Sequence, residues 1–92
     1  MGNALSIIER EGKIRGLETE PMIERCKHGF REYGSDNHLK PEFDVWKETI
    51  EELWDGFNIA CFAIDAGASP LSVDDTLNKI ADAIKSVQEQ MA

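Results

Sequence analysis

Apolar residues recur at the spacing of one helix face along most of this chain, and no segment alternates apolar and polar residues over strand length. Glycine follows three of these segments, at Gly12, Gly34 and Gly67, where it favours the left-handed end of a helix. The pattern therefore predicts an all-α fold, a small antiparallel hairpin or bundle of about three to four helices. The predicted helices cover about residues 3–11, 21–33, 42–66 and 73–91.

Proline and capping residues indicate where the later helices begin. Pro21 and Pro41 suit the first turn of a helix, because that turn does not need the N–H that proline lacks. Ser72 and Asp75 have the spacing of a capping box, which predicts a helix that begins directly after Ser72. The last two helices are then expected to pair as a hairpin.

Helix 42–66 carries two sides of different character when its residues are placed about 100° apart. One side is apolar throughout and predicts the face that packs in the core: Trp46, Ile50, Leu53, Phe57, Ala60, Cys61 and Ile64. The other side begins with acidic residues: Glu48, Glu51, Glu52 and Asp55. It continues with apolar residues: Ile59, Phe62, Ala63 and Ala66. A solvated face would remain polar to its end, so we expect the helix to bury both sides in its second half, with the carboxylates at the rim.

The length of the chain bears on how this second side is covered. A chain of 92 residues is expected to form one domain, residues 1–92, with a small hydrophobic core. A small core leaves a narrow stability margin, and burial of surface between subunits widens it. We therefore expect a homo-oligomer that covers the second side of helix 42–66.

The net charge of the chain limits which classes of molecule it is expected to bind. Its formal net charge is −8, which argues against direct binding of nucleic acid or an anionic membrane through a basic patch. Metal ions and basic protein surfaces remain compatible with that charge. Cys26 and Cys61 lie among apolar neighbours at helical spacing, which is typical of reduced core cysteines and indicates a cytoplasmic protein. The first residues lack the basic and apolar regions of a signal peptide.

The opening residues MGNALS have two interpretations. They place Gly2 and Ser6 at the positions of an N-myristoylation motif. Asn3 equally suits the cap of a helix that begins with ALSIIER. The motif is short, and both interpretations stay open at this point.

The acidic residues of helix 42–66 have no lysine or arginine on their own face, since Lys47 lies about 100° away from Glu48. Clustered carboxylates repel one another by tenths of a kcal/mol per exposed pair, and by more when partly desolvated. Hard cations such as Mg²⁺ favour carboxylate oxygen. This predicts a metal site formed by Glu48, Glu51, Glu52 and Asp55. The alternative is enrichment of acids near a helix N-terminus, which explains Asp55 poorly because it lies about three turns into the helix.

Residues 25–64 also carry a recognisable order of motifs. A Tyr33-Gly34 turn precedes a polar loop, and the helix after it carries Glu48, Glu51, Glu52, Leu53 and Asp55 before an apolar stretch. This segment resembles part of the MazG-like nucleoside triphosphate pyrophosphohydrolases, an all-α family with many small, phage-encoded members. The resemblance implies Mg²⁺-dependent cleavage of a nucleoside triphosphate to the monophosphate and pyrophosphate. The family uses an E-x-x-E pair and a later E-x-x-D pair, and Glu52 and Asp55 match the second pair as catalytic residues.

The first acidic pair of that family is missing here. No E-x-x-E precedes the long helix, and the nearest substitutes are Glu20 and Glu24, four residues apart. Either another subunit completes the site, or the fold is kept without the chemistry. The alternative function is a non-enzymatic oligomeric protein of a phage or mobile element, which sequesters a nucleotide or binds and inhibits a host defence protein through an acidic surface. A third possible function is that of a purely structural interaction module.

Basic residues in the first third of the chain are candidates for phosphate contacts. Lys13, Arg15 and Arg31 carry the charge that phosphate oxygens favour. The alternative is ordinary balancing of the acidic helices. His28 and His38 have no cysteine or histidine at metal-ligand spacing, which argues against a zinc site.

Overall fold

The computed structural model describes residues 3–92 and contains four α-helices with no strand in that range. A single 3-10 turn, Asn37–Leu39, lies between the second and third helices. The all-α prediction is confirmed. The helices are α1 at Ala4–Ile14, α2 at Glu20–Tyr33, α3 at Val45–Asp65 and α4 at Pro70–Met91.

The helices form two compact units, Met1–Phe43 and Asp44–Ala92. In the first unit α1 packs on α2, and in the second α3 packs on α4. The predicted pairing of the last two helices as a hairpin is therefore confirmed. That the whole chain behaves as one domain stays a prediction. Within residues 3–92 no helix is both long enough and apolar enough to cross a bilayer.

The end of α1 differs from the prediction. Gly12 was expected to stop this helix, yet α1 continues to Ile14, and the left-handed residue that follows is Gly16, with φ of 75°. Gly12 is buried, and a Cβ added to it would lie 2.5 Å from the Cγ2 methyl of Thr19. Gly12 is thus a contact residue inside the helix, because only the absence of a side chain lets Thr19 approach.

The start of α3 lies three residues after the predicted position. Asp44 precedes the helix in an extended conformation, and its side chain accepts a hydrogen bond from the backbone N–H of Lys47 at 3.0 Å. This cap fixes the start at Val45, since it satisfies an N–H that has no partner inside the helix. Pro41 lies in the preceding turn.

The start of α4 lies three residues before the predicted position, at Pro70. Proline takes the first helical position, where its fixed φ is favourable. Ser72 therefore lies inside the first turn, and its hydroxyl donates to the carbonyl of Ser69 at 2.6 Å. The predicted capping box of Ser72 and Asp75 is wrong. The predicted glycine ends of α2 and α3 are confirmed by positive φ at Gly34 and Gly67.

The core of the second unit lies between α3 and α4. Ile50 on α3 is 2% exposed and Val87 on α4 is 7% exposed. The rest of the predicted core face of α3 is half-buried, except Trp46, which is exposed; the half-buried residues are Leu53, Phe57, Ala60, Cys61 and Ile64. Ile50 and Val87 are the buried apolar side chains of the described residues, so this core is thin.

Within one chain the second side of α3 is not buried. Ile59 is 63% exposed and Phe62 is 64% exposed. Their expected burial by another subunit stays a prediction. The N-myristoylation position Gly2 lies outside the described residues. Asn3 precedes α1, and its carbonyl accepts from the N–H of Ile7 at 2.9 Å, but its side chain makes no capping hydrogen bond.

Candidate functional site

The four acidic residues of the predicted metal site lie on the N-terminal half of α3, and all four are exposed. Residues three and four apart on a helix are neighbours, with Cβ atoms about 5–6 Å apart. Glu48 and Glu52 are therefore neighbours, and Glu52 and Asp55 are neighbours in the next turn. We call Glu48, Glu51, Glu52 and Asp55 the acidic row.

No basic side chain compensates the acidic row in the part of the chain that the structure describes. The five ion pairs found there join residues of α1, α2 and α4 or the residue directly after α1, and none includes a carboxylate of α3. Lys47 is the one basic residue of α3, and it lies about 100° around the helix from Glu48. The acidic row therefore carries its mutual repulsion without an ion pair, and a bound cation would relieve that repulsion.

The geometry of the acidic row is that of an open surface. Among residues 3–92, no three His, Cys, Asp or Glu side chains converge as a group that could hold a metal ion. Mg²⁺ in nucleotide sites is commonly held by one or two carboxylates together with substrate phosphates and water. The acidic row can supply one or two carboxylates, with Glu52 and Asp55 as the pair spaced one turn apart.

The substitutes for the missing first acidic pair lie in the other unit. Glu20 is the first residue of α2, directly before Pro21, and Glu24 follows one turn later. The carboxylate of Glu24 lies 3.6 Å from the ammonium of Lys27. The acidic row of α3 thus belongs to the second unit, while these two carboxylates belong to the first.

Two of the three candidate phosphate ligands are already paired. The ammonium of Lys13 lies 2.8 Å from the Glu9 carboxylate, and the hydrogen bond from Lys13 lowers the pKa of Glu9. The guanidinium of Arg15 lies 3.0 Å from the Glu11 carboxylate, and the hydrogen bond from Arg15 lowers the pKa of Glu11. Exposed pairs of this kind contribute little free energy, so a phosphate competes with them easily.

Arg31 is the third candidate phosphate ligand, and its environment differs from the ion-paired environments of Lys13 and Arg15. It lies in the last turn of α2, it is exposed, and no ion pair within residues 3–92 includes it. A cation near a helix C-terminus is favoured by the helix dipole, so its position also has a structural reason.

A cavity beside Lys13 has more acidic than basic residues in its lining. It measures 420 Å³ and lies at the connection between α1 and α2. Lys13 supplies its single positive charge, whereas Glu18 and Glu20 supply two negative charges. The net negative charge of this lining disfavours an anion there, and a phosphate contact by Lys13 stays a prediction.

Another cavity in the first unit was not predicted from the sequence. It measures 220 Å³ and lies between α2 and the 3-10 turn Asn37–Leu39. The turn brings the ring of His38 over that of Phe30, with ring centroids 6.4 Å apart and planes 16° from parallel. The free thiol residue Cys26 also lines this cavity. The sequence placed His38 in a loop and carried no signal for this stacking, because the two rings meet only through the turn.

Comparison with known proteins gives no further identification. No protein-family model matches the chain, and no solved structure matches it. The resemblance of residues 25–64 to MazG-like pyrophosphohydrolases therefore stays a prediction.

Proposed function

We propose that this chain is a cytoplasmic, MazG-like nucleotide-binding protein that cleaves a nucleoside triphosphate with Mg²⁺ held on α3. The observation that supports this proposal best is the acidic row, four exposed carboxylates on one helix with no ion-pair partner in the described residues. A row of like charges costs stability unless a cation binds to it. Mg²⁺ complexed with a triphosphate is the cation that suits carboxylates without a closed cage.

Each residue of the acidic row has a role in this proposal. Glu52 and Asp55, one turn apart, hold the cation through carboxylate oxygens, and Glu48 and Glu51 extend the negative surface on the N-terminal side. A Mg²⁺ ion held by these carboxylates would supply charge neutralisation for the phosphates and would acidify a coordinated water. In the proposed reaction, the oxygen of a water would bond to the α-phosphorus and its proton would pass to solvent. The bond from that phosphorus to the oxygen bridging to the β-phosphorus would break, and pyrophosphate would leave with that oxygen.

The acidic row alone does not complete a catalytic site. Glu52 and Asp55 are a single acidic pair, and a second set of ligands must come from elsewhere, as a further subunit would provide. Among the three basic candidates, Arg31 is the first choice for a phosphate contact, because no ion pair engages it within residues 3–92. Lys13 and Arg15 become available only after leaving their glutamate partners.

The experiment measures pyrophosphate release from a panel of nucleoside triphosphates with and without Mg²⁺. Asp55→Asn keeps the shape of the side chain and removes its charge. Asp65→Asn is the matched control, since it makes the same change at an exposed position of α3 about 100° away from Glu48. The proposal expects Mg²⁺-dependent release that Asp55→Asn abolishes and Asp65→Asn preserves. Absence of release with every triphosphate contradicts the enzyme proposal.

A second function has its own supporting observation. The acidic row continues into exposed apolar residues, Ile59 and Phe62, and no group of three potential ligands is preformed among residues 3–92. A non-enzymatic oligomer of a phage or mobile element fits that combination, either as a protein that sequesters a nucleotide or as one that inhibits a host protein through its acidic surface. Nucleotide binding by calorimetry without any turnover supports sequestration over catalysis.

A further inference from the structure

Aromatic residues are concentrated around the 220 Å³ cavity of the first unit. Three of the five Phe and Tyr residues of the chain line it, namely Phe30, Tyr33 and Phe43. The imidazole of His38 adds a fourth ring. Among the described residues that form this lining, none is Lys, Arg, Asp or Glu. A lining of aromatic side chains with few polar groups is typical of a site for an uncharged, largely apolar group.

The backbone around the cavity explains how these rings come together. Phe30 and Tyr33 are three residues apart on α2 and therefore lie on one face of that helix. Gly34 ends the helix with a φ of 91°, which lets the chain fold back. The N–H of Phe43 then donates to the carbonyl of Lys40 at 3.0 Å, in the turn that brings Phe43 to the cavity. The cavity is thus formed by one helix and the hydrogen-bonded turns that follow it.

The shape and size of the cavity favour a flat ligand. The rings of Phe30 and His38 are 16° from parallel. Nearly parallel rings suit a planar ring that stacks on them, whereas a rounded ammonium group is best held by ring faces on several sides. A cavity of about 150 Å³ accommodates benzene. The 220 Å³ found here therefore leaves room for a fused system of two small rings.

Asn37 supplies the polar group that can select among flat ligands. It lines the cavity and is half-buried, and its side chain takes part in none of the side-chain hydrogen bonds found within residues 3–92. A carboxamide presents a donor and an acceptor side by side. These groups match the amino group and the adjacent ring nitrogen of adenine, the base that asparagine commonly recognises.

We propose that this cavity binds a purine base of the adenine type, with the base stacked on Tyr33 and its edge hydrogen-bonded to Asn37. Tyr33 is 65% exposed, so its ring has surface free for stacking. The choice of a nucleobase among flat heteroaromatic rings rests on the proposed nucleotide binding. The site itself lies in the first unit and contains no residue of the acidic row.

The first experiment titrates adenosine into the full chain without Mg²⁺ and follows the backbone amides by NMR. Gly29 and Gly34 line the cavity, whereas Gly56 and Gly67 belong to the second unit and serve as internal controls. The proposal expects a saturable shift of the Gly29 and Gly34 amides and no shift of the two controls. Unchanged Gly29 and Gly34 amides at millimolar adenosine overturn it. Equal shifts at all four glycines indicate unspecific stacking and overturn it as well.

A pair of matched variants tests the stacking on Tyr33. Tyr33→Leu removes the aromatic ring and keeps an apolar side chain. Phe62→Leu makes the corresponding change in the second unit, at a residue that is 64% exposed. Loss of one stacked base commonly weakens binding by at least about fivefold, so Tyr33→Leu should raise the Kd for adenosine by that factor. Circular dichroism confirms that both variants are folded. An unchanged Kd in Tyr33→Leu, or an equal rise in Phe62→Leu, contradicts the assignment.

The hydrogen bond from the base to Asn37 is tested by removing either partner. Purine riboside lacks the amino group of adenosine and should bind more weakly than adenosine does. In Asn37→Ala the two nucleosides should bind equally, because the carboxamide that discriminates them is gone. A preference for adenosine that persists in Asn37→Ala overturns the role of Asn37. Cytidine that binds as tightly as adenosine overturns the assignment to a purine.

These results are distinguishable from the outcome of the hydrolysis experiment, because adenosine carries no phosphate and the titration contains no Mg²⁺. Adenosine that leaves the cavity unchanged overturns the base site, even where Mg²⁺-dependent pyrophosphate release is observed. Adenosine that binds with the expected variant effects supports the base site, even where no triphosphate is cleaved.

Discussion

A substitution at Gly12 tests the packing of the first unit, because the structure predicts opposite results for two glycines in neighbouring helices. Alanine in place of glycine inside a helix normally stabilises it by about 0.5–1 kcal/mol. At Gly29 on α2 a Cβ meets nothing within 4 Å, so Gly29→Ala should show that gain. At Gly12 the Cβ would lie 2.5 Å from the Cγ2 methyl of Thr19, which is 6% exposed and has a stiff side chain.

The collision at Gly12 should outweigh the gain in helix propensity. Overpacking of a buried site costs about 1–3 kcal/mol, so Gly12→Ala should lower the free energy of unfolding by about 0.5–2 kcal/mol. Thr19→Ser removes the colliding methyl, and the double variant should recover about 1 kcal/mol relative to the sum of the single changes. Urea denaturation followed by circular dichroism measures the four variants and the unsubstituted protein. A Gly12→Ala protein as stable as Gly29→Ala would refute the close contact.

Two further predictions concern the start of α3 and the ion pairs of α1. Asp44→Ala removes the carboxylate that accepts from the Lys47 N–H, and should lower the free energy of unfolding by about 1 kcal/mol in urea denaturation; an unchanged midpoint would contradict the capping role. Lys13→Met should raise the pKa of Glu9 towards its ordinary value of 4.5, measured by NMR titration of the carboxyl carbon. The folded state lowers the pKa of Glu9. The Glu9–Lys13 pair therefore stabilises the protein at pH values above the ordinary pKa of glutamate, and this contribution is lost as the pH falls through the lowered pKa. A Glu9 pKa that is the same in both proteins would show that the pair does not persist in solution.

The helices could be predicted from the spacing of apolar residues, but their ends could not. Gly12 reads as a stop signal because glycine is common at helix ends. Its actual role depends on Thr19, which lies seven residues later and meets Gly12 only when α1 and α2 pack. Pro41 gave a local start signal, yet the helix begins four residues later, where the Asp44 carboxylate accepts from the N–H of Lys47. Local signals compete at helix ends, and tertiary contacts decide between them.

The candidate site could be predicted in part. Periodicity places Glu48, Glu52 and Asp55 on one side of α3, and the structure has all three exposed on that helix. The expected burial beside them stays a prediction, because Ile59 and Phe62 are exposed on α3. The stacking of His38 on Phe30 was missed, because it requires the 3-10 turn to fold back on α2. Sequence periodicity describes one helix at a time, and both of these features arise between elements.

The most direct test of the central claim is whether a divalent cation binds at the acidic row. Mn²⁺ replaces Mg²⁺ at oxygen ligands and broadens the NMR signals of nearby amides. With a non-hydrolysable nucleoside triphosphate present, the account predicts selective broadening of the amides of residues 48–55, lost in Asp55→Asn and retained in Asp65→Asn. Unchanged amides at residues 48–55 under saturating Mn²⁺ and nucleotide would contradict the account.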